Sequence, residues 1–256
     1  MSEPQIDKTS DRAQSLFKGL QVLQVFSEGH ANLTLSEVAD LVGMNRATTR
    51  RFLLTLVDLG YLSIEGKRYS LTPKVMTLGY NYLSNLPWWQ MANPVAEEVS
   101  RKVSESCSIG VLSRDQLIFV ARAQGPRALT INLSPGRVVP VHTAGIGRVL
   151  LSNLESSEQR DFFERNPPVA LTPYTVTDVE AILDALQQVR QQGFAIVDQE
   201  LEVGLLAIAV PIINNKGKAI AAMGISTQAQ RRSREELINE FLPILKDGAQ
   251  RITPLA

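Results

Sequence analysis

From Leu35 to Tyr61 the chain reads LSEVADLVGMNRATTRRFLLTLVDLGY, and no other stretch restricts its fold as tightly. Leu35, Val38, Ala39 and Val42 recur at i, i+3, i+4 and i+7, which is one face of a helix. Ala39 is small where a second helix would cross, and Gly43 supplies the backbone freedom of a tight helix-to-helix turn. Asn45 is a good N-cap. The helix it opens turns Thr49, Phe52, Leu53 and Leu56 inward and leaves Arg46, Ala47, Arg50, Arg51 and Leu54 nearer the outside. The pair is a helix-turn-helix, although an aliphatic residue is usual at the site of Thr49.

An α-helix fits the major groove of B-DNA, where arginine pairs bidentately with guanine and small methyl-bearing side chains touch thymine. Arg46, Ala47, Thr48 and Arg50 are therefore the expected base readers, and Arg51 a phosphate contact that positions without specifying. After Tyr61 the pattern turns to alternation, with Glu65-Gly66 between Leu62-Ile64 and Arg68-Leu71, a hairpin signal. Such a hairpin is a wing. Lys67 and Arg68 at its tip can reach a phosphate or the minor groove, or can simply be a solvated turn.

The 26 basic and 26 acidic residues cancel, so any nucleic-acid contact must come from local patches. Met44 to Leu54 is such a patch, with three arginines and no acid; Lys67, Arg68 and Lys74 form a second. A hydrophobic content of 44% is ample for real cores. One cysteine cannot make an internal disulfide, no leader precedes the first helix, and no apolar run approaches the ~20 residues of a membrane helix. The expectation is a soluble cytoplasmic protein with no membrane partner and no cofactor.

Residues 1–12 read as a flexible arm, and a helix is expected from Ala13 to about Ser27, burying Leu16, Leu20, Leu23 and either Phe26 or Val25. Residues 13–72 form the winged helix-turn-helix domain. Thr72-Pro73 is a cap with proline at the first helical position, opening a linker helix over 73–86 that is apolar on more than one side. It is expected to pack on a second subunit, because a half-site reader gains specificity as a dimer.

Residues 87–256 have another style. A helix from Trp88 to about Ser104 precedes strands at Cys107–Leu112, Leu117–Ala123, Leu129–Leu133 and Val138–Val141. Their turns are too short for crossovers, so the sheet is expected to be antiparallel. Helices follow near Ala144, over Ser157–Arg165 and from a capping box at Thr177-Asp178-Val179-Glu180 to Gly193. Strands return at Phe194–Val197, Leu206–Ile213 and Ala219–Ser226. A second capping box, Ser233 to Glu236, starts a last helix that Pro243 should bend. The fold class is α+β, an antiparallel sheet flanked by helices behind a helical DNA-binding domain.

The ordered segments SLFKGLQVLQVF, LSEVADLVGMNRATTRRFLLTLVDLGYL, LTPKVMTLGY, VHTAGIGRVLL, DQELEVGLLAIAVPI and AAMGIS resemble the IclR family of bacterial transcriptional regulators over nearly the whole chain. TTRRFLLTLVDLGY and LGYNYLS are most similar to the branch that regulates the β-ketoadipate pathway and responds to protocatechuate or 4-hydroxybenzoate. The resemblance implies a winged helix-turn-helix, a linker helix and a GAF-like effector domain, assembled as a homodimer or tetramer. It places the effector pocket on Gly145, Ile146, Asp198, Ala207, Gly224 and Ser226. Ala207 and Gly224 stand where relatives that bind small keto acids use cysteine and serine, so this pocket should take a larger, less hydrophilic ligand such as an aromatic acid.

A small anion is best held by backbone N–H groups at a helix N-terminus, here after Thr143-Ala144. Arg137 and Arg148 are close in sequence and able to pair with a carboxylate, while His142 is either a polar contact or a satisfied buried histidine. Asp198 is suited to accept from a phenol or to cap a segment. Enzyme signatures do not assemble: GIGRVL lacks the third glycine of a dinucleotide loop, GIST lacks a nucleophile elbow, and His30, His142 and Cys107 have no metal-ligand spacing. The expected partners are an operator in double-stranded DNA, a small aromatic carboxylate, further copies of the chain and RNA polymerase. A regulator sensing an aliphatic keto or hydroxy acid, and more distantly a DNA-tethered enzyme, stand as alternatives.

Overall fold

A computed structural model describes residues 13–27, 29–126 and 133–253. The chain divides into two compact units, Met1–Tyr82 and Leu83–Ala256. The expected arm over 1–12 and most of the expected strand Leu129–Leu133 lie outside the described residues.

In the first unit α1 (Gln14–Gln24) precedes a short β1 (Leu33–Thr34), α2 (Leu35–Val42) and α3 (Arg46–Asp58). The wing strands β2 (Leu62–Glu65) and β3 (Arg68–Leu71) follow, then α4 (Val75–Ser84). The wing sheet is antiparallel in the order β1-β3-β2; β1 is too short to leave a pattern in the sequence. Val22, Phe26, Leu33, Val38, Leu53, Leu62 and Tyr69 make the core. Leu16 and Leu20, expected inside, are exposed at 64% and 49%. Their stripe does not meet this core but flanks an open groove with Phe52, Leu56, Leu59 and Leu78. The α-helix proper starts at Val75, later than Thr72-Pro73 suggests, because the entry is wound by i→i+3 bonds from the Val75 and Met76 amides to the Thr72 and Pro73 carbonyls, while the Thr72 hydroxyl accepts from the Lys74 amide at 3.3 Å.

The second unit begins with α5 (Trp89–Val103), followed by the hairpin β4 (Ser106–Ser113) and β5 (Gln116–Ala123) and the short β6 (Val138–Val139). A 3-10 turn (Val141–Thr143) leads into α6 (Gly145–Ser152), then come α7 (Ser156–Arg165) and α8 (Val179–Gln192). The chain re-enters the sheet as β7 (Ala195–Asp198), β8 (Leu205–Ile213) and β9 (Ala219–Gln228) and ends in α9 (Arg234–Glu236), a π turn (Leu237–Phe241) and α10 (Leu242–Ile252). All pairings are antiparallel, in the order β6-β5-β4-β9-β8-β7. One face packs on α5 and α10 through Val95, Val99, Ile109, Ile208, Met223 and Leu245. The other receives α6 and α8 through Ile146, Val149, Ile182 and Leu186.

Two expected features take another form. The box expected from Thr177 to Glu180 is not made, because α8 takes Asp178 as its N-cap and so moves Glu180 out of the third helical position; its carboxylate pairs with Arg160 at 2.6 and 3.1 Å. The last helix changes geometry at the π turn, one turn ahead of Pro243, which sits in the first turn of α10 where its missing N–H costs nothing. The box at Ser233 forms as expected.

Candidate functional site

Local hydrogen bonds fix the two helices of the first unit. Thr34 and Glu37 close a capping box on α2, Gly43 ends it at φ 64°, and Asn45 Oδ1 accepts from the Thr48 amide at 2.8 Å to start α3. Thr49 is fully buried, and its hydroxyl donates to the Asn45 carbonyl at 3.1 Å. That bond explains a hydroxyl where an aliphatic side chain is usual.

Arg46, Ala47, Arg50 and Arg51 are exposed on α3. Thr48 is half-buried and, like Arg51, lines the groove beside α1, so Arg46, Ala47 and Arg50 are the side chains left for a groove of DNA. Lys67 occupies the exposed turn of the wing, but Arg68 does not reach out from it. Arg68 lies within β3, where it donates to the Asn32 carbonyl at 2.9 Å and approaches Glu37 at 3.5 Å. Lys74 likewise turns inward, to the Leu59 carbonyl at 2.8 Å.

In the second unit a small cavity of about 30 Å³ lies between the sheet and the start of α6. Gly145 and Ile146 form one wall; Ala207, Gly224 and Ser226 lie on the sheet side. These five expected residues are brought together. Apolar residues such as Phe119, Leu133, Val197, Leu201 and Leu205 make up most of the enclosure, with Thr143, whose hydroxyl donates to the Pro140 carbonyl, as a further polar residue. Nothing in the sequence separates these from ordinary core, since a strand residue facing a cavity and one facing a helix follow the same alternation.

Glycine matters here for space. A Cβ on Gly224 would stand 2.9 Å from Ile146 Cγ1 and 3.1 Å from the Ile208 carbonyl, so the sheet and α6 approach as closely as they do because it has none. Gly147 allows the same closeness on the other side, since a Cβ there would overlap the Val141 carbonyl. Ala144 caps α6 without a side-chain bond, and the first intrahelical donor is the Arg148 amide. The N–H groups of Gly145, Ile146 and Gly147 are thus without helical partners, and the first two of these residues line the cavity.

The four charged or polar candidates around this wall are placed elsewhere. Arg148 is spent on a buried ion pair with Glu200 at 2.6 Å, and its Nε donates to the His142 carbonyl at 2.9 Å. His142 is 5% exposed and outside the cavity lining; burial holds its pKa below the ordinary value. Arg137 is exposed beside β6 and outside the lining. Asp198 follows the lining residue Val197, and strand alternation turns it to the opposite face, where its carboxylate lies 3.5 Å from Arg234.

The Cys107 thiol is fully buried and desolvation pushes it up to about 12, which removes the thiolate. Among the described residues no group of three His, Cys, Asp or Glu could hold a metal, and no helix is long and apolar enough to cross a membrane.

Two family models match the chain: an IclR helix-turn-helix domain over residues 15–65 and a bacterial transcriptional regulator IclR C-terminal domain over residues 80–254. The chain is 40% identical over 232 residues to a Pca regulon regulatory protein of Pseudomonas putida, covering 90% of this chain and 80% of that one. It is 34% identical to the p-hydroxybenzoate hydroxylase transcriptional activator of Acinetobacter baylyi, over 97% of this chain and 93% of that one. Among solved structures it is similar, at a TM-score of 0.63 and 33% identity, to the inducer-binding domain of an Acinetobacter PobR transcription factor double mutant in complex with 3-hydroxybenzoic acid. That likeness covers 67% of this chain and 99% of the other.

Proposed function

The chain belongs to the IclR family of bacterial transcriptional regulators, and within it we propose a sensor of a small aromatic carboxylate such as protocatechuate or 4-hydroxybenzoate. It is a DNA-binding regulator and not an enzyme, as its named relatives are. The reading of the effector rests on one observation above the rest. Ala207 and Gly224 stand beside Ser226 in a cavity whose remaining walls are apolar but for Thr143, with uncapped amides at one edge. Apolar walls receive a ring, and the few polar groups receive its oxygen substituents. Two relatives whose names or contents concern hydroxybenzoates support the same choice.

An apolar cavity of about 150 Å³ is enough for benzene. At about 30 Å³ the present one must open to admit an aromatic acid. Effector binding is thereby coupled to a change of arrangement, which is what a switch requires: the ligand shifts the equilibrium by its preference for one state. We place the reading of a palindromic operator on Arg46, Ala47 and Arg50, with Arg51 and Lys67 on phosphates. The protein works in the cytoplasm as a homodimer or tetramer joined in part through α4, whose Met76, Tyr80 and Tyr82 are exposed at 76%, 62% and 52%, and it acts on RNA polymerase from the operator.

The deciding experiment is a thermal-shift titration against hydroxybenzoates, other benzoates, pyruvate, glyoxylate and succinate. At a hundred times its dissociation constant a ligand of the folded state adds about 2.7 kcal/mol, enough for a clear shift. A shift confined to hydroxybenzoates is expected. One confined to keto acids would refute the aromatic reading.

A further inference from the structure

Two of the buried polar atoms without a partner in the effector unit stand across from each other on neighbouring strands: Ser108 Oγ and Arg122 Nη1. Ser108 pairs in register with Arg122 on one side and with Gly224 on the other, and Gly224 pairs with Ala209. One row therefore crosses the sheet from Arg122 and Ser108, which lie outside the present cavity lining, to Gly224 and Ala209 in the cavity wall. It runs along the α6 face, because a Cβ on Gly110, two residues from Ser108, would meet Ile146 of α6 at 2.9 Å. Arg122 shares that face: its Nη2 approaches the Ser106 hydroxyl at 3.4 Å, and Ser106 pairs with the lining residue Ser226.

A guanidinium keeps its proton at any physiological pH, so a buried N–H without an acceptor is costly. Burial pushes the pKa of Arg122 down, and no carboxylate among the described residues counters it. The planar fork of arginine matches a carboxylate better than any other group, and the idle Ser108 hydroxyl can donate to the same oxygens. The row spans two strand spacings, about 10 Å, a gap that an arginine side chain and a benzoate bridge between them.

We propose that Arg122, assisted by Ser108, anchors the carboxylate of the effector, leaving the first amides of α6 and Ser226 to the ring hydroxyl. The anchor is then not the helix N-terminus that the sequence favours. This assignment rests on the cavity being the effector site.

The test is calorimetric titration of the full chain with 4-hydroxybenzoate and with neutral 4-hydroxybenzamide, in wild type, Arg122→Gln, Arg122→Lys and Ser108→Ala. Arg122→Gln should weaken the acid about 30-fold, the scale of a charge-assisted pair, and leave the amide within about twofold. Arg122→Lys should restore part of the loss, and Ser108→Ala should cost about fivefold on the acid alone. Ligand-free Arg122→Gln should melt no lower than wild type, since an uncompensated cation has gone; a structural arginine would lower it. Unchanged affinity for the acid, or an equal loss on acid and amide, overturns the assignment. If wild type binds only aliphatic acids, the same comparison with pyruvate and pyruvamide decides it: dependence on Arg122 keeps the anchor while the aromatic reading falls, and independence removes both.

Discussion

The guanidinium of Arg148 meets the carboxylate of Glu200 at 2.6 Å with both side chains 8% exposed, tying α6 to the segment that follows β7. Glu200 also accepts from the Val176 amide at 3.1 Å, and Arg148 donates to the His142 carbonyl. Three segments that surround the start of α6 are thus held by one pair of charges.

Breaking that pair from one side should be expensive. Glu200→Gln leaves Arg148 buried and uncompensated, and a loss of about 3–5 kcal/mol is expected. Replacing both with apolar residues should cost far less. Both tryptophans, Trp88 and Trp89, lie in the effector unit, so a denaturant titration followed by tryptophan fluorescence isolates its transition. Equal losses for single and double variants would contradict the pairing.

Two glycines of α6 should behave differently. Gly147→Ala sets a Cβ against the Val141 carbonyl and should destabilise the effector unit by about 2–3 kcal/mol. At Gly145 the nearest atom to a Cβ is Ala209 Cβ at 3.4 Å, so Gly145→Ala should fold, set a methyl at the cavity wall and weaken the effector response with operator affinity intact. Effector titrations of the operator complex check this, and an unchanged response would move the pocket.

On the reading helix, Arg50→Ala should cost about 1–3 kcal/mol on the operator and little on unrelated DNA. Arg51→Ala should weaken both alike and reduce the salt slope by about one. Gel-shift titrations over a range of salt on the two DNAs separate these outcomes; a uniform loss for Arg50→Ala would make it a phosphate contact.

Self-association should run through α4, which has no buried residue in the isolated chain. Tyr80→Asp is expected to shift sedimentation-velocity profiles toward the monomer and to lower operator affinity through loss of the second half-site. A wild-type chain that sediments as a monomer at micromolar concentration would refute this.

Acid should loosen the contact between α5 and α10. Hydrogen bonds from Lys102 and Arg251 hold the Glu98 carboxyl near 2, well below its ordinary 4.5. A depressed carboxyl contributes stability in full above about pH 4.5 and loses it as the pH falls toward 2. The stability gap between wild type and Glu98→Gln should therefore be flat above that range, shrink below it and narrow with added salt, as fits an exposed cluster. A gap that widened on acidification would contradict the assignment.

The helix-turn-helix was legible because its determinants are local: the Ala39 crossing, the Gly43 turn and the Asn45 cap all act within a few residues. Leu16 and Leu20 were misplaced because periodicity reveals an apolar stripe without saying whether the chain's own core or something else covers it. Asp198, which the resemblance puts in the pocket, points away from it because Val197 takes the inward position of β7. Arg148 was given to a ligand because its partner lies 52 residues away, a distance over which sequence carries no pairing signal.

The register of β5 shifts where Ile109 faces Ala121 and Gly110 faces Phe119, leaving Val120 as the extra residue. Val120 and Ala121 both enter the α5 core, while Phe119 and Arg122 both look toward α6. The strand therefore changes phase once along its length. Paired at the same length without the bulge, strict alternation would put Ala121 toward α6 and turn Arg122 into the apolar core. The bulge, and not the identity of the side chain at its centre, thus decides which face of the sheet Arg122 serves.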